Sequence, residues 1–286
     1  MKIEDTQNDW DLVIEPHSSL FSLNLKDVWR YRDLLGLLVR RDFVSFYKQT
    51  ILGPLWIFIQ PLFTTITFTF IFGNLAGIST DGLPQPLFYM SGIVTWNYFA
   101  DCLTKTSSVF RDNAGIFGKV YFPRLIMPLS IVASNLVKLS IQLLMFLILF
   151  IYFIIKKEFN PQLSFNLFLF PLLLLLMAGL GLGLGMIISA LTTKYRDLTF
   201  LISFGVQLFM YATPVIYPLS AAPEKYKAII ALNPMSPIIE GIRFSLLGKG
   251  SFSVESLIYV TMVTSFILIT GIIIFNRVEK SFVDTV

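Results

Sequence analysis

The 286-residue chain is 55% hydrophobic, with 28 phenylalanines, 14% charged residues and a net charge of +4. This is more apolar surface than a soluble domain of that length buries, which excludes water as the main solvent of the folded chain. A single cysteine (Cys102) and a single histidine (His17) exclude an internal disulfide and a Cys/His zinc site, and the basic residues are scattered at the ends of apolar runs, not striped as in a nucleic-acid binder.

Residues 1–23 read as a polar cytoplasmic tail. Carboxylates at positions 4, 5, 9, 11 and 15 and the lack of an apolar core predict no cleavable signal peptide, so the first span acts as the insertion signal. Residues 24–46 predict an amphipathic helix lying in the membrane interface. Leu25, Val28, Trp29, Leu35, Leu38 and Val39 recur at three- and four-residue intervals, Lys26, Asp27, Arg30, Asp33, Arg40 and Arg41 gather opposite them, and Asn24 suits the N-cap. Such a helix serves either as an anchor or as a contact for a cytoplasmic partner.

Residues 47–280 predict an all-α integral membrane domain of six transmembrane helices, at about 51–73, 87–105, 128–155, 166–191, 200–217 and 255–275. With both termini inside, fifteen Lys and Arg fall in inner segments against six in outer ones, with Lys138 alone within a span. That asymmetry predicts cytoplasmic termini. In the first span Pro61 predicts a kink near mid-membrane, and in the fourth Gly179, Gly181, Gly183 and Gly185 predict close approach of another helix. These glycines lie inside an apolar run and not between a strand and a helix, which argues against a nucleotide loop.

Prolines at 214, 218, 223, 234 and 237 cut the next stretch into pieces of roughly ten residues, too short to cross. Residues 218–250 therefore predict a re-entrant outer hairpin, with Pro214, Tyr217, Pro218, Pro234, Pro237, Glu240 and Arg243 as candidate outer-gate residues. Lys138 lies about 16 Å into the third span and requires an anionic partner, for which Asp101 of the second span is at a comparable level.

No catalytic constellation is visible. The stretch Gly115 to Val120 ends Gly-Lys-Val without the spacing or hydroxyl of a P-loop, so neither ATP nor any other cofactor is expected in this chain, and no metal.

Six blocks, taken in order, resemble the permease of type-2 ATP-binding-cassette exporters of cell-surface polysaccharides, the family of O-antigen, capsule and teichoic-acid exporters. They are Tyr-Lys-Gln-Thr-Ile-Leu-Gly-Pro-Leu-Trp from 47, Gln-Pro-Leu from 60, Lys-Val-Tyr-Phe-Pro-Arg from 119, Lys-Tyr-Arg-Asp from 194, Pro-Val-Ile-Tyr-Pro from 214 and Leu-Asn-Pro-Met-Ser-Pro from 232. The resemblance covers about residues 25 to 280. It implies a homodimer in the bacterial plasma membrane, two copies of a separate P-loop ATPase subunit that carries ATP and magnesium, and a lipid-linked polysaccharide as substrate. It also implies that Lys119, Tyr121, Arg124, Lys194, Tyr195, Arg196 and Asp197 contact the ATPase.

Aromatic faces stack on sugars with little sequence dependence, which makes Trp56, Phe63, Tyr89, Trp96, Tyr98 and Phe99 candidates for the glycan path. Lys138 and Asp101 are read either as a structural ion pair or as a contact for the phosphates of the lipid-linked substrate. A rival reading, a membrane-embedded transferase on a lipid-linked sugar or acyl donor, needs an acid/base or nucleophile set at the membrane surface, and none is visible. A passive channel would need rings of charge or a polar lining, and these are not found either.

Overall fold

The computed structural model describes residues 25–48, 50–117, 122–161, 165–195 and 197–282, and every regular element among them is helical. Asn24, read as an N-cap, lies outside these residues. The amphipathic stretch forms two helices, α1 (Leu25–Arg30) and α2 (Arg32–Tyr47). Leu34, Leu35 and Leu38 of α2 pack on a cluster that includes Phe110, Phe117, Phe122 and Phe275. Trp29, expected on the same face, is instead 71% exposed, with Arg32 over its ring at 5.6 Å. Val28 and Tyr31 pack on the same cluster as Leu34, Leu35 and Leu38, so the apolar face runs on through the break at Tyr31 and Trp29 falls outside it.

A 3-10 turn at Gly53–Leu55 leads into α3 (Trp56–Phe68), which continues as a π-helical segment, Thr69–Leu75. The α-helix runs through Pro61, and the change in winding falls two turns later, at Thr69. There the Gln85 side chain packs so tightly on Gly73 that a Cβ at that position would collide with it.

The remaining helices are α4 (Gln85–Ser107), α5 (Val109–Asp112), α6 (Ala114–Phe117), α7 (Ile126–Ile155), α8 (Leu169–Lys194), α9 (Leu198–Tyr211), α10 (Glu224–Leu232), α11 (Met235–Leu247) and α12 (Val254–Phe282). Among the described residues, four helical stretches are long and apolar enough to cross a membrane: Gly53–Leu75, Ile126–Ile155, Asn166–Lys194 and Val254–Val278.

The other two predicted spans differ from that standard for separate reasons. α4 has 23 residues, about 34 Å at a rise of about 1.5 Å per residue, but it carries Asp101, Lys105 and many hydroxyls. The hydroxyls are tolerated because α4 is the central helix, packed against α3, α7, α8, α9 and α11 with most of its side chains buried, whereas Asp101 and Lys105 stay partly open and face Lys138 and Asn135 of α7. α9 ends at Tyr211 and not near 217, leaving 14 residues, about 21 Å. Pro214 has no N–H to offer the Met210 carbonyl, and Thr213 N bonds it instead at 3.2 Å, closing the helix with a tighter turn.

The glycine run of α8 serves two helices, not one. A Cβ at Gly181 would lie 3.1 Å from Cys102 Cβ and one at Gly185 2.5 Å from Thr106 Cβ, both on α4. A Cβ at Gly183 would lie 2.9 Å from Leu268 Cα, and one at Gly179 3.1 Å from the Thr264 methyl, both on α12. Alternate glycines therefore bring α4 and α12 onto neighbouring faces of the same helix.

Candidate functional site

The prolines after α9 produce a short helical hairpin. Pro218 precedes a 3-10 turn at Leu219–Ala221, Pro223 precedes α10, and Pro234 precedes α11. α10 is largely exposed, whereas nearly all of α11 is buried, including Pro237, Glu240 and Arg243. Asn233 joins the two ends of the segment: its amide donates to Thr213 Oγ1 at 2.8 Å while its carbonyl accepts from Met235 N at 2.9 Å.

Glu240 and Arg243, each 1% exposed, face one another at 3.0 Å. Arg243 also donates to the backbone carbonyls of Pro214 and Val215, both at 2.6 Å. Glu240 accepts from Ser251 N at 3.0 Å, from the Ser251 hydroxyl at 3.2 Å and from Leu219 N at 3.4 Å. A buried ion pair of this kind survives because most of its donors and acceptors are occupied: both carboxylate oxygens and both terminal guanidinium nitrogens are engaged, and Arg243 Nε alone of the pair's polar atoms has no partner among the described residues. Here the partners are backbone groups on both flanks, so the pair fastens the chain before α10 and the chain after α11 to one helix. Tyr217 lines an apolar cavity of about 580 Å³ with Phe209, Ile230 and Asn233. The Ser220 hydroxyl donates to the Asp81 carboxylate at 2.8 Å, tying the hairpin to the connection between α3 and α4.

A second polar cluster runs along the contact between α4 and α7. Lys138 Nζ lies 2.7 Å from Asp101 Oδ2, with side chains 19% and 29% exposed. One turn along, Lys105 Nζ donates to Asn135 Oδ1 at 3.1 Å. Ser134 donates to Asp42 of α2 at 3.4 Å, and Gln142 reaches the Ile57 carbonyl of α3 at 3.4 Å.

The residues read as ATPase contacts are only partly described: Lys119, Tyr121 and Arg196 lie outside the described residues. Arg124 is half-buried with its guanidinium 5.4 Å from the Phe117 ring centre, and Lys194, Tyr195 and Asp197 are exposed. The two blocks share one end of the bundle. The Thr192 hydroxyl donates to the Ser107 carbonyl at 2.5 Å, and Arg111 Nη1 donates to Thr199 Oγ1 at 2.9 Å.

The aromatic candidates separate into two groups. Trp56 and Phe63 of α3 stand 46% and 63% exposed, while Tyr89, Trp96, Tyr98 and Phe99 of α4 are packed in the core. The four on α4 therefore line no open path in this conformation. They belong to a largely enclosed helix, where large aromatic rings fill the space between neighbours. Sequence reading missed Lys105, Asn135 and Arg111. Antiparallel alignment of the second and third spans, with Asp101 set opposite Lys138, would have placed Asn135 opposite Lys105.

A family profile described as "ABC-2 type transporter" matches residues 33–247. The O-antigen export system permease protein RfbA of Klebsiella pneumoniae is 31% identical over 253 residues, covering 88% of this chain and 94% of that protein. The protein of the same name from Myxococcus xanthus is 26% identical over 265 residues, covering 92% and 98%. The polysialic acid transport protein KpsM of Escherichia coli is 20% identical over 238 residues, covering 80% and 87%.

Proposed function

We propose a function for a chain that belongs to the ABC-2 type transporter family: it is the membrane permease subunit of an ATP-driven exporter carrying a polysaccharide outward across the bacterial inner membrane. The observation that carries this reading is likeness over nearly the full length of proteins named as O-antigen export permeases. Four apolar helices of spanning length agree with it.

The finer reading has six spans, with α4 shielded from lipid by its neighbours and α9 completed by the turns that follow it. Both termini lie inside, α1 and α2 rest in the interface, and residues 218–250 dip into the outer leaflet and return. The chain works as a homodimer with two copies of a separate P-loop ATPase subunit, and its cargo is a lipid-linked polysaccharide. The end of the bundle that carries Arg124, Lys194, Tyr195 and Asp197 meets the ATPase. This chain is non-catalytic and needs no cofactor of its own. The outer hairpin, held by Glu240 and Arg243 with Pro214, Tyr217, Pro218, Pro234 and Pro237, forms the outer gate.

The test is biochemical. Purified chain should hydrolyse no ATP until a P-loop subunit is added, and deleting its gene should abolish surface polysaccharide while intracellular polysaccharide accumulates. ATP hydrolysis by this chain alone, or unchanged surface polysaccharide in the deletion strain, would falsify the reading.

A further inference from the structure

We propose that the α4–α7 seam binds the phosphate of an inner-leaflet lipid headgroup, with the ammonium groups of Lys105 and Lys138 as its cationic ligands. The proposal rests on the export reading for its orientation, and it adds a site that the reading does not contain.

The two helices are antiparallel, so Lys105 with Asn135 and Asp101 with Lys138 form successive rungs. The two lysines thus belong to adjacent rungs, one on each helix. Lys105 is exposed and gives one of its three N–H donors to a neutral amide. The Lys138 and Asp101 side chains also keep part of their surface open. The carboxylates facing the seam are Asp101 and, one turn away, Asp42, which Arg41 engages at 2.8 Å. Among the described residues that the printed contacts place at the seam, Lys105, Lys138 and Arg41 face Asp101 and Asp42, and Lys105 is the cation whose contact there is a neutral amide. A phosphate supplies the missing negative charge and several acceptor oxygens.

The depth also suits a headgroup: counted along the third span Lys138 should lie about 16 Å in, but its neighbours on α7 contact α2 and the start of α3, which sets it nearer the inner boundary than that count implies. Ser134, one turn from Lys138, touches α2, whose exposed Arg32, Arg40 and Arg41 belong at headgroup level. Gln142, one turn the other way, touches Ile57 at the start of α3. Lys138 therefore lies beneath the elbow where α2 passes into the first span, with Gly53 in a left-handed conformation at φ 52°. A purely structural ion pair contributes little net stability over an apolar contact of the same shape. It requires neither a second lysine nor partial exposure.

The experiment titrates the delipidated full chain in detergent with phosphatidic acid, a polyprenyl monophosphate and inorganic phosphate, and counts adducts by native mass spectrometry. Lys105→Gln removes one charge, keeps an amide toward Asn135 and leaves the Asp101 pair intact. Lys138→Gln with Asp101→Asn neutralises the other rung as a unit. Each should weaken binding of at least one lipid about tenfold at an unchanged melting temperature, and Lys138→Arg should bind within about twofold of wild type.

Loss for phosphatidic acid assigns the site to a bilayer lipid, and loss for the polyprenyl phosphate assigns it to a lipid-borne cargo. Wild-type binding of both lipids by either charge-removing variant overturns the proposal, as does binding of inorganic phosphate in place of the lipids. Binding is read without ATP or transport, so its failure leaves the export reading standing. A chain that binds lipid phosphate yet exports nothing refutes the export reading alone.

Discussion

The guanidinium of Arg243 lies 3.8 Å from the centre of the Phe88 ring, joining α11 to the first turn of α4. One turn along α4, Gly92 keeps this contact possible: a Cβ there would come within 2.8 Å of both Arg243 Nη2 and the Val215 carbonyl. Arginine over an aromatic face in a desolvated site contributes about 2 kcal/mol, in addition to the ion pair with Glu240. The α10–α11 hairpin is thereby attached to the central helix of the bundle.

Removing one member of that pair leaves the other charged and buried. Arg243→Met or Glu240→Gln alone should destabilise the detergent-solubilised protein by about 3–5 kcal/mol, seen as a lower melting temperature. Arg243→Met with Glu240→Leu should recover part of the loss, because no unpaired charge remains. Equal melting temperatures for wild type and both single variants would show that the pair holds nothing.

The glycines of α8 predict a pattern of position-specific damage. Gly183→Val should push against α12 and Gly185→Val against α4, each costing about 1–3 kcal/mol in thermal stability. Gly36→Ala on α2, where no atom lies within 4 Å of the added methyl, should be neutral or stabilising by up to about 1 kcal/mol. If all three variants melt together, the close approaches described for α8 are incorrect.

The hairpin reading makes a topological prediction. Lys225 and Lys249 are both exposed, and Cys102 is buried and free, so Cys102→Ser supplies a clean background. Lys225→Cys and Lys249→Cys should both react with an impermeant thiol reagent added from outside intact cells. Labelling from opposite sides of the membrane would require a crossing between them and end the six-span reading.

Arg124→Glu should weaken co-purification of the ATPase subunit about tenfold, and Arg124→Lys should largely retain it. The charge reversal removes the cation stacked on Phe117 as well as any attraction across the interface, so the melting temperature of the isolated permease is the control. Loss of pairing by a variant that melts like wild type supports an interface role, and undiminished pairing removes Arg124 from it.

What the sequence determined by itself is local. Apolar runs of spanning length mark where helices form, and prolines mark where they stop, because crossing distance and a missing N–H act within one segment. The glycine run and the breaks between the short helices after α9 were legible on that basis, and a lysine inside an apolar run marked Lys138 as a residue in need of a partner. Tertiary structure decided which neighbours those groups meet. It sent Gly181 and Gly185 to α4 but Gly179 and Gly183 to α12, buried four of six aromatic candidates in α4, and brought Lys105 to Asn135. It also closed α9 at Tyr211 and fastened Arg243 to carbonyls some thirty residues earlier. These outcomes depend on which helices surround a given face, and the hydrophobic period of one segment carries no record of its neighbours. Inside a bundle, a polar or small side chain is placed by the partner that satisfies or fits it, and that partner lies elsewhere in the chain.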